Sequence, residues 1–407
     1  MSKINFHGQL PKYWVMKKLE EIGKIFNGNS INAKLKQEKY LNLEEGIPYI
    51  ATKDISYKNI INYNNGISIP FKEKSNFKLA SKNTILICAE GGSAGRKIGF
   101  TSQEVCFGNK LFAFSSNESV ESKYVYYFYF STRFQKDFKN QMTGIIGGVS
   151  MKKFKNLSIP LPPQHQQQQI VIKLDSIFAA IASTKANAEQ NLVNAKELFD
   201  SYLQSTFENI GEDWIEKNLE ELCTKITDGV HKKPNYTSEG IPFIKINNLT
   251  KDDGISFKNV SYISKKDHEL FCIKVRPEKG DILITKDGTI GIVRIVETEI
   301  EFSIFVSVAI IKPIDKKASP YLKYVLISPL IQNQIKPKGA ALKHLYLKDL
   351  RRFIIPIPPF KEQQRIVKKL NDFSIKTKKL ESIYQQKIND LEELKKSTLL
   401  KAFNGEL

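Results

Sequence analysis

The sequence is poor in the residues that build metal sites and disulfide frameworks. Its 407 residues include only four cysteines and five histidines. The cysteines are not arranged as CxxC, and the histidines show neither HxH nor HExxH spacing, which argues against a zinc site and against a disulfide framework. Scattered cysteines suit a reducing compartment, and we therefore expect a cytoplasmic protein.

Long apolar runs and nucleotide-binding loops are missing as well. No run approaches the roughly 20 apolar residues of a membrane helix, and the start, MSKINFHGQLPKYW, lacks the apolar segment of a signal peptide. Lys97 ends a glycine-rich stretch, but Ile98 follows it and the spacing GxxxxGK[ST] of a phosphate loop is not met. There is neither a glycine-rich cofactor loop nor the Asn/Asp-Pro-Pro-aromatic tetrapeptide of amino-methyltransferases. The sequence thus predicts a chain without catalytic residues, metal or cofactor of its own, and without a membrane segment.

Positive charge is present in excess, with a formal net charge of +19. Residues 1–163 hold 24 Lys and Arg against 12 Asp and Glu, and residues 210–359 hold 24 against 19, whereas residues 164–209 hold 3 against 5. Positive charge on the globular parts of a chain favours a polyanionic partner, with nucleic acid as the first candidate. A lysine-rich composition that reflects an AT-rich genome is the alternative explanation.

An internal repeat of about 196 residues organises the chain. Residues 157–174 read LSIPLPPQHQQQQIVIKL, and residues 353–370 read FIIPIPPFKEQQRIVKKL. Trp14 and Trp214 begin the similar stretches WVMKKLEEIGKIFNG and WIEKNLEELCTKITDG. A unit of this length is too long for a solenoid repeat. It indicates a duplicated module of one globular domain plus one helix, with a pseudo-two-fold design.

Each globular domain is predicted to be α+β. Apolar segments such as IPYIAT and NTILICA in the first copy, and IPFIKI in the second, predict mostly antiparallel strands. A few helices are expected among them, including one over residues 122–141. The predicted boundaries are a first domain at 1–160, a first helix at 161–209, a second domain at 210–356 and a second helix at 357–407.

Two long helices are expected to follow the proline-rich stretches that end at Pro163 and Pro359. Helices of about 45 residues would be roughly 65–70 Å long. Apolar residues at spacings of three and four, among them Leu198 and Leu394, predict that the helices pack on each other, with Thr377 as a polar residue in the seam. Two separate helices, each lying on its own domain, are the alternative.

Polar loop residues beside the repeated strands are the candidate nucleic-acid contacts. The Asp-Gly pair at 287–288 predicts a hairpin turn, because glycine accepts a positive φ, and its counterpart is the stretch at 90–97. Lys and Arg can bind guanine edges, and Asn can pair with adenine. A simple turn, a solvated charge or a phosphate contact is the alternative at each position. In the first domain the candidates are Thr52, Lys53, Asp54, Gly91, Gly92, Ser93, Arg96, Lys97 and Lys152, with Lys153 and Lys155 beside it. In the second domain they are Lys245, Asn247, Asn248, Lys286, Asp287, Gly288, Thr289, Lys343 and His344, with Lys348 nearby.

Taken in this order, these features resemble the specificity subunit of a type I restriction–modification system. The resemblance covers almost the whole length: a Trp-led domain, PLPPQHQQQQIV, a long helix, a second Trp-led domain, PIPPFKEQQRIV and a second helix. The stretches AKELFDSYLQ at 195–204 and LLKAFNGEL at 399–407 are also similar to the helix ends of that family. The uncharged QHQQQQ at 164–169 departs from the charged KEQQR of the second copy.

The resemblance implies a non-catalytic subunit with two target-recognition domains and two helices packed as an antiparallel coiled coil. Each domain would bind one half of an asymmetric, bipartite site in double-stranded DNA, and the helices would set the gap. Two modification subunits would bring S-adenosylmethionine and methylate adenine, and restriction subunits would bring ATP and Mg²⁺. The partner contacts are expected at the helix starts, at Gln168, Ile170, Gln364 and Ile366. The alternatives are the specificity subunit of a type II enzyme that cuts beside a bipartite site, and a coiled-coil adaptor that does not bind DNA.

Overall fold

A short strand near the start of each half of the chain pairs with the strand that leads into a long helix. This arrangement occurs twice in the structure, a computed structural model. The model describes residues 11–43, 45–144, 147–209, 211–251, 253–335 and 344–407. The chain divides into two compact units, one with residues up to Ala188 together with Gln386–Leu407, the other with Glu189–Gln385.

The first half of the chain holds the first domain and the first long helix. Its strands are β1 Val15–Lys18, β2 Gly23–Asn27, β3 Ile47–Ile50, β4 Ser68–Ile69, β5 Leu79–Ala80, β6 Ile85–Cys88, β7 Ile98–Phe100, β8 Val105–Phe107, β9 Leu111–Ser116 and β10 Ser158–Leu161. Its helices are α1 Leu19–Ile22, α2 Ala33–Lys39, α3 Ser122–Phe128, α4 Thr132–Gln141, α5 Met151–Lys155 and the long α6 Gln164–Glu208, with 3₁₀ turns at Thr52–Asp54 and Phe71–Asn76.

The second half repeats much of this order, with a strand at Tyr236–Thr237 where the first half has α2. Its strands are β11 Ile215–Asn218, β12 Cys223–Asp228, β13 Tyr236–Thr237, β14 Ile241–Ile244, β15 Ser261–Ile263, β16 Ile282–Thr285, β17 Val293–Ile295, β18 Ser303–Ile304, β19 Val308–Pro313 and β20 Ile354–Ile357. Its helices are α7 Asn247–Thr250, α8 Lys265–Cys272, α9 Ser319–Ile327, α10 Pro329–Gln332, α11 Leu347–Arg351 and the long α12 Phe360–Asn404, with 3₁₀ turns at Leu219–Leu222 and Lys316–Ala318.

One four-stranded sheet of each domain corresponds strand for strand to that of the other domain, and each domain also contains one parallel pair of strands. The first domain contains the pair β1-β10 and the sheets β2-β9-β6-β7 and β4-β3-β8-β5. The second contains β11-β20, β12-β19-β16-β17 and β13-β15-β14-β18. The pairs β3-β8 and β14-β18 are parallel, and the other pairs of these sheets are antiparallel. The predicted α+β class with a duplicated domain is confirmed.

The central strand of each domain is buried on both faces, which explains its continuous apolar sequence. In β6, Ile85 and Ile87 face the aromatic helical layer, whereas Leu86 faces the core that contains Phe107. Side chains alternate across a strand, so β6 lies between the helices and the second sheet. The loop that leaves its carboxyl end therefore emerges at the edge of both layers.

The helical layer differs in one respect from the prediction of a single helix over residues 122–141. The chain forms α3 and α4 with a break before Thr132. Ser131 is the N-cap of α4, because its Oγ accepts a hydrogen bond of 3.2 Å from the Phe134 N–H, and α3 ends earlier, at Phe128. The break allows Tyr129 and Phe134 to stack at 4.3 Å between ring centroids.

The two long helices pack antiparallel, as predicted. The start of α6, with Leu174, shares a core with the end of α12, with Phe403. The end of α6, with Phe207, shares another core with the start of α12, with Leu370. The division of the chain into four domains stays a prediction, since the two compact units divide both helices.

The seam between the helices differs in part from the heptad pattern. Leu198 and Leu394 are exposed, whereas Thr377 is buried as expected. The Thr377 hydroxyl donates to the Phe373 carbonyl at 3.2 Å, so its burial leaves no unsatisfied polar group. A straight helix drifts relative to a strict seven-residue repeat, which carries some heptad positions away from the partner helix. In the described parts of the chain, no helix is both long and apolar enough to cross a bilayer.

Candidate nucleic-acid interface

A glycine-containing loop follows the central strand of each domain and is tied to the segment before the last short helix. The Val149 N–H donates to the Ala89 carbonyl at 2.9 Å, and the Leu345 N–H donates to the Lys286 carbonyl at 2.8 Å. Ala89 and Lys286 therefore occupy equivalent positions. We call the following residues the first glycine loop (90–97) and the second glycine loop (287–291).

A glutamine from the helical layer holds the far end of each glycine loop. Gln135 Nε2 donates to the Gly95 carbonyl at 2.9 Å, and Gln332 Nε2 donates to the Gly291 carbonyl at 3.1 Å. Both glycines have positive φ, of 71° and 87°, which glycine adopts without strain. A Cβ at Gly291 would lie 2.4 Å from Gln332 Oε1. The prediction missed both glutamines, although their spacing of 197 residues follows the repeat.

The first glycine loop lies beside the turn that follows β3. Lys97 Nζ donates to the Thr52 carbonyl at 3.0 Å. Between these segments lies Tyr57, whose hydroxyl is 3.1 Å from Ser93 Oγ. Arg96 Cζ and Lys97 Nζ lie 5.3 and 5.1 Å from the centroid of the Tyr57 ring, within the range of cation–π attraction. The structure thus brings three predicted residues, Ser93, Arg96 and Lys97, together around a tyrosine that the prediction missed.

The remaining candidates of this surface differ in exposure. Lys53 is exposed, and the positions of Gly91 and Gly92 are open, because an added Cβ would meet no atom within 4 Å. Asp54 is buried, and its Oδ2 accepts a hydrogen bond of 2.8 Å from the Ala51 N–H. We therefore correct the prediction for Asp54, since its carboxylate closes the turn instead of facing solvent.

The lysines of α5 also differ in what they can reach. Lys152 is exposed and follows directly on the segment that is bonded to Ala89. Lys153 Nζ donates to the Gln141 carbonyl at 3.3 Å. Lys152 is therefore the residue of this helix that stays a candidate contact.

In the second domain, the structure most clearly corrects the prediction that Lys286 contacts nucleic acid. Its side chain is 4% exposed, and its Nζ lies 3.1 Å from Asp228 Oδ2. Lys274 Nζ lies 2.6 Å from the other oxygen, Asp228 Oδ1. Burial disfavours the ionised carboxylate, but the hydrogen bonds from Lys274 and Lys286 outweigh it and hold the pKa of Asp228 below its ordinary value. Lys286 neutralises a buried carboxylate and is not available to DNA.

The first domain carries an uncharged version of this pair. The position of Lys286 is taken by the buried Ala89, and Asn27 ends β2 where Asp228 ends β12. Asn27 Oδ1 accepts a hydrogen bond of 3.1 Å from Lys78, as Asp228 does from Lys274. The second domain thus has both an added buried cation and an added buried anion, as expected because an unpaired buried charge is costly.

Asp287 and His344 lie together at the surface of the second glycine loop. Asp287 Oδ1 pairs with His344 Nδ1, and the two residues form an isolated β-bridge. The His344 ring packs edge-on against Tyr346, with ring centroids 4.6 Å apart, and Lys348 Nζ lies 5.7 Å from the Tyr346 ring. The second domain therefore also exposes a tyrosine flanked by basic residues, on a different loop from Tyr57.

The tip of the second glycine loop completes this surface. Gly288 and Thr289 are exposed, as is Asn247. A Cβ at Gly288 would lie 4.0 Å from Ile246 Cδ1, which places the loop next to the segment that carries Asn247. The predicted contact Lys343 lies outside the described residues.

Lys245 and Asn248 are held by contacts within the domain. Lys245 Nζ donates to Ser261 Oγ at 2.8 Å and lies 4.5 Å from the centroid of the Tyr236 ring. Asn248 is buried, its Oδ1 accepts from the Lys245 N–H at 3.0 Å, and its Nδ2 donates to the Ser256 carbonyl at 3.0 Å. We correct the prediction for Asn248, because its amide shapes the loop and cannot pair with a base.

The residues predicted to bind a partner separate into two kinds. Gln168 and Gln364 are exposed. Ile170 and Ile366 are buried in the cores of their own domains, so the prediction for these two isoleucines is wrong. The 3.6-residue helical period turns each isoleucine toward its domain when the glutamine two positions earlier faces solvent.

The proline-rich segments are fixed by tyrosine side chains that repeat between the domains. The Tyr124 hydroxyl donates to the Pro160 carbonyl at 2.7 Å, and the Tyr321 hydroxyl donates to the Pro356 carbonyl at 2.6 Å. Both tyrosines are buried, and burial raises the pKa of each. They stay protonated donors at neutral pH.

Two buried glutamines hold the same segments at the helix starts. Gln167 Nε2 donates to the Pro162 carbonyl at 2.8 Å, and Gln363 Nε2 donates to the Pro358 carbonyl at 3.0 Å. The same local hydrogen bond is therefore formed at both helix starts, between the helix and the proline-rich segment that leads into it.

The comparisons with known sequences agree with the duplicated architecture. Residues 11–193 and 211–393 each match the family described as "Type I restriction modification DNA specificity domain". The chain is 26% identical to the type I restriction enzyme EcoBI specificity subunit of Escherichia coli, over 97% of this chain and 86% of that protein. It is 24% identical to the type I restriction enzyme MjaIX specificity subunit of Methanocaldococcus jannaschii, over 98% of this chain and 95% of that protein.

Solved structures share the fold. One similar chain comes from work on the structural basis of complex assembly and conformational transition of the type I R-M system. It has a TM-score of 0.79, 19% identity, and coverage of 98% of this chain and 100% of that chain. The HsdS subunit from Thermoanaerobacter tengcongensis has a TM-score of 0.58 and 18% identity, with 100% of both chains covered.

Proposed function

Because this chain belongs to the family of type I restriction–modification DNA specificity proteins, we propose that it recognises the DNA sequence for a complex of that kind. Each domain binds one half of an asymmetric, bipartite site in double-stranded DNA, and α6 and α12 set the unread gap. In this proposal the chain supplies recognition to the complex and its partners supply the catalysis. Two modification subunits bring S-adenosylmethionine and methylate adenine, and restriction subunits bring ATP and Mg²⁺.

The observation that best supports this proposal is the contrast between repeated buried contacts and different exposed residues. The tyrosine–proline and glutamine–glycine hydrogen bonds occur in both domains. The exposed surfaces differ: Tyr57 with Arg96 in the first domain, and Tyr346 with Lys348 in the second. Sequence in a duplex is read by side chains at base edges, while the scaffold only positions them. Two equal scaffolds with different side chains suit two different half-sites.

Exposed basic residues on these surfaces support a polyanionic ligand. Lys53, Arg96 and Lys152 are exposed in the first domain, and Lys348 is exposed in the second. Such residues attract the phosphate backbone and fix the protein on the duplex. Asn247 and Thr289 are uncharged, exposed and suited to hydrogen bonds with bases.

Docking of the modification subunits is proposed at the helix starts. Gln168 and Gln364 are exposed at equivalent positions, each next to a buried glutamine that donates a hydrogen bond to the preceding proline-rich segment. Two copies of one partner need two similar surfaces, which the repeat supplies. The buried Ile170 and Ile366 shape these surfaces from below.

The salt dependence of binding tests the proposal. The full chain, co-purified with its modification subunit, is titrated against labelled duplex between 50 and 200 mM salt. An affinity that falls by about 10³-fold or more is expected if several phosphates are neutralised. The substitution Lys152→Gln should lower the slope of log K against log salt by about one, whereas Lys173→Gln, at an exposed lysine of α6, should not. A flat salt response contradicts DNA binding and favours the coiled-coil adaptor.

A further inference from the structure

A short loop next to the first glycine loop is repeated in sequence but used differently by the two domains. Residues 55–60 read ISYKNI, and residues 255–260 read ISFKNV. Asn59 and Asn259 both have positive φ, of 63° and 55°, which asparagine tolerates better than other non-glycine residues. The same loop conformation is therefore specified twice.

The first copy of this loop is rigidly held. Ile55 and Ile61 form a β-bridge at its base, and the Ser56 N–H donates to the Ile60 carbonyl at 3.0 Å. Asn59 Oδ1 accepts a hydrogen bond of 3.0 Å from the Ile98 N–H, which anchors the tip to β7. A loop held in this way can present apolar side chains to solvent without collapsing onto the core.

Two large apolar side chains stand exposed on this loop. Tyr57 is 61% exposed and Ile60 is 64% exposed. In the second domain the equivalent aromatic residue, Phe257, packs against Phe302 with ring centroids 6.0 Å apart. The second domain packs the partly buried ring against its core, and the first leaves the ring at the surface beside Arg96.

We propose that Tyr57 and Ile60 contact the C5-methyl groups of thymine in the half-site that the first domain binds. This inference rests on the proposed DNA binding. The major groove presents hydrogen-bonding groups and one kind of apolar group, the thymine methyl. The Tyr57 hydroxyl is already engaged with Ser93 Oγ, so the ring offers an apolar surface, and Ile60 can offer nothing else. Arg96 and Lys97, against the same ring, bring this surface to the duplex through phosphate attraction.

Replacement of single thymines by deoxyuridine tests the inference, because it removes only the methyl group. The methylated site is first determined by methylome sequencing, and exchange of residues 12–160 identifies the half that the first domain binds. Duplexes with one thymine of that half replaced are then titrated against the co-purified complex. At one position or more, the unchanged protein should bind the deoxyuridine duplex about three- to five-fold more weakly, the effect of one buried methyl group.

The variants locate this effect on the loop. At a thymine whose methyl group Tyr57 contacts, Tyr57→Ala should bind the thymine and deoxyuridine duplexes equally. At a thymine whose methyl group Ile60 contacts, Ile60→Ala should do so. Tyr57→Phe should keep the discrimination, because the ring remains. Phe71→Ala is the matched control: Phe71 is 60% exposed and follows β4, at the opposite end of the sheet from Thr52.

Three outcomes overturn the inference while leaving the proposed function intact. These are equal binding of every deoxyuridine duplex by a complex that still prefers its site, a first half-site without thymine, and full discrimination by both alanine variants. If the complex does not distinguish its site from a scrambled duplex, the proposed function itself fails.

Discussion

Lys286 shows how the burial of one residue separates a structural role from a recognition role. Next to an Asp-Gly turn, a lysine looks like a phosphate ligand, and its exposure cannot be read from its neighbours in sequence. Its counterion, Asp228, is far away along the chain and becomes adjacent only through the pairing of β12, β19 and β16. The equivalent neutral pair, Asn27 and Ala89, shows that the fold does not require the charges.

Conversion of this ion pair into its neutral counterpart gives a prediction about stability. Lys286→Ala should lower the free energy of unfolding of the second domain by about 1–3 kcal/mol, because it leaves a buried carboxylate with one lysine fewer. The double variant Asp228→Asn, Lys286→Ala should recover a large part of this loss. Urea unfolding followed by Trp214 fluorescence, in a Trp14→Phe background, measures both. A changed methylated site with unchanged stability would show that Lys286 acts on DNA after all.

His268 gives a prediction about pH. It is buried in α8, with Nδ1 2.9 Å from Ser303 Oγ. Burial lowers the pKa of His268, and the nearby Glu301 only partly offsets this effect. Below about pH 6.5 the unfolded chain takes up a proton that the folded chain resists, so stability is lost as the pH falls through this range.

The pH effect is measured as the urea midpoint of the second domain at pH 7.5, 6.5 and 5.5. The unchanged protein should lose stability toward pH 5.5, and His268→Gln should lose less over the same interval, because glutamine does not titrate. An equal loss in both proteins would assign the pH dependence to other groups.

At the scale of elements, the long helices carry the prediction about the gap. Removal of one heptad between residues 175 and 205 shortens a helix by about 10 Å and rotates the part of the chain beyond the deletion about the helix axis. The gap in the methylated site should change, or assembly should be lost. A control keeps the length and replaces exposed residues of the same heptad with alanine. If the deletion variant assembles and methylates a site with the original gap, the helices do not set the gap length.

The elements were largely predictable from sequence because their determinants are local. Apolar strands, proline-rich lead-ins and helical periodicity repeat at nearly constant spacing, and they predict the α+β domains and the two helices. The break before Thr132 accompanies the stacking of Tyr129 on Phe134, a contact that a linear pattern does not contain. The heptad pattern placed Leu198 and Leu394 in the seam between the helices, but both are exposed. The pattern alone does not contain the position of the partner helix.

The candidate surface was less predictable, for a physical reason. Base- and phosphate-binding residues are ordinary polar residues, and only burial separates Lys53 and Arg96 from Asp54, Asn248 and Lys286. The sequence nevertheless contained a signal that could have identified Tyr57 as an exposed residue. ISYKNI and ISFKNV differ at the aromatic position, and a tyrosine in place of the partly buried Phe257 can be exposed to solvent.

At the scale of the whole molecule, we expect the two proposed recognition domains to bind their half-sites independently. Each contains its own cores and its own set of contacts between the glycine loop, the proline-rich segment and the helical layer. Such a domain can change its exposed residues without disturbing the scaffold that it shares with the other. A new half-site could then arise by exchange of one domain alone.

Methylome sequencing of a host that carries a domain exchange tests this claim most directly. Residues 12–160 are replaced by the corresponding segment of another family member, and the methylated sequence is compared with that of the unchanged chain. We expect a bipartite methylated site in which one half changes while the other half and the gap stay the same. A change in both halves, or a continuous site in the unchanged protein, would contradict it.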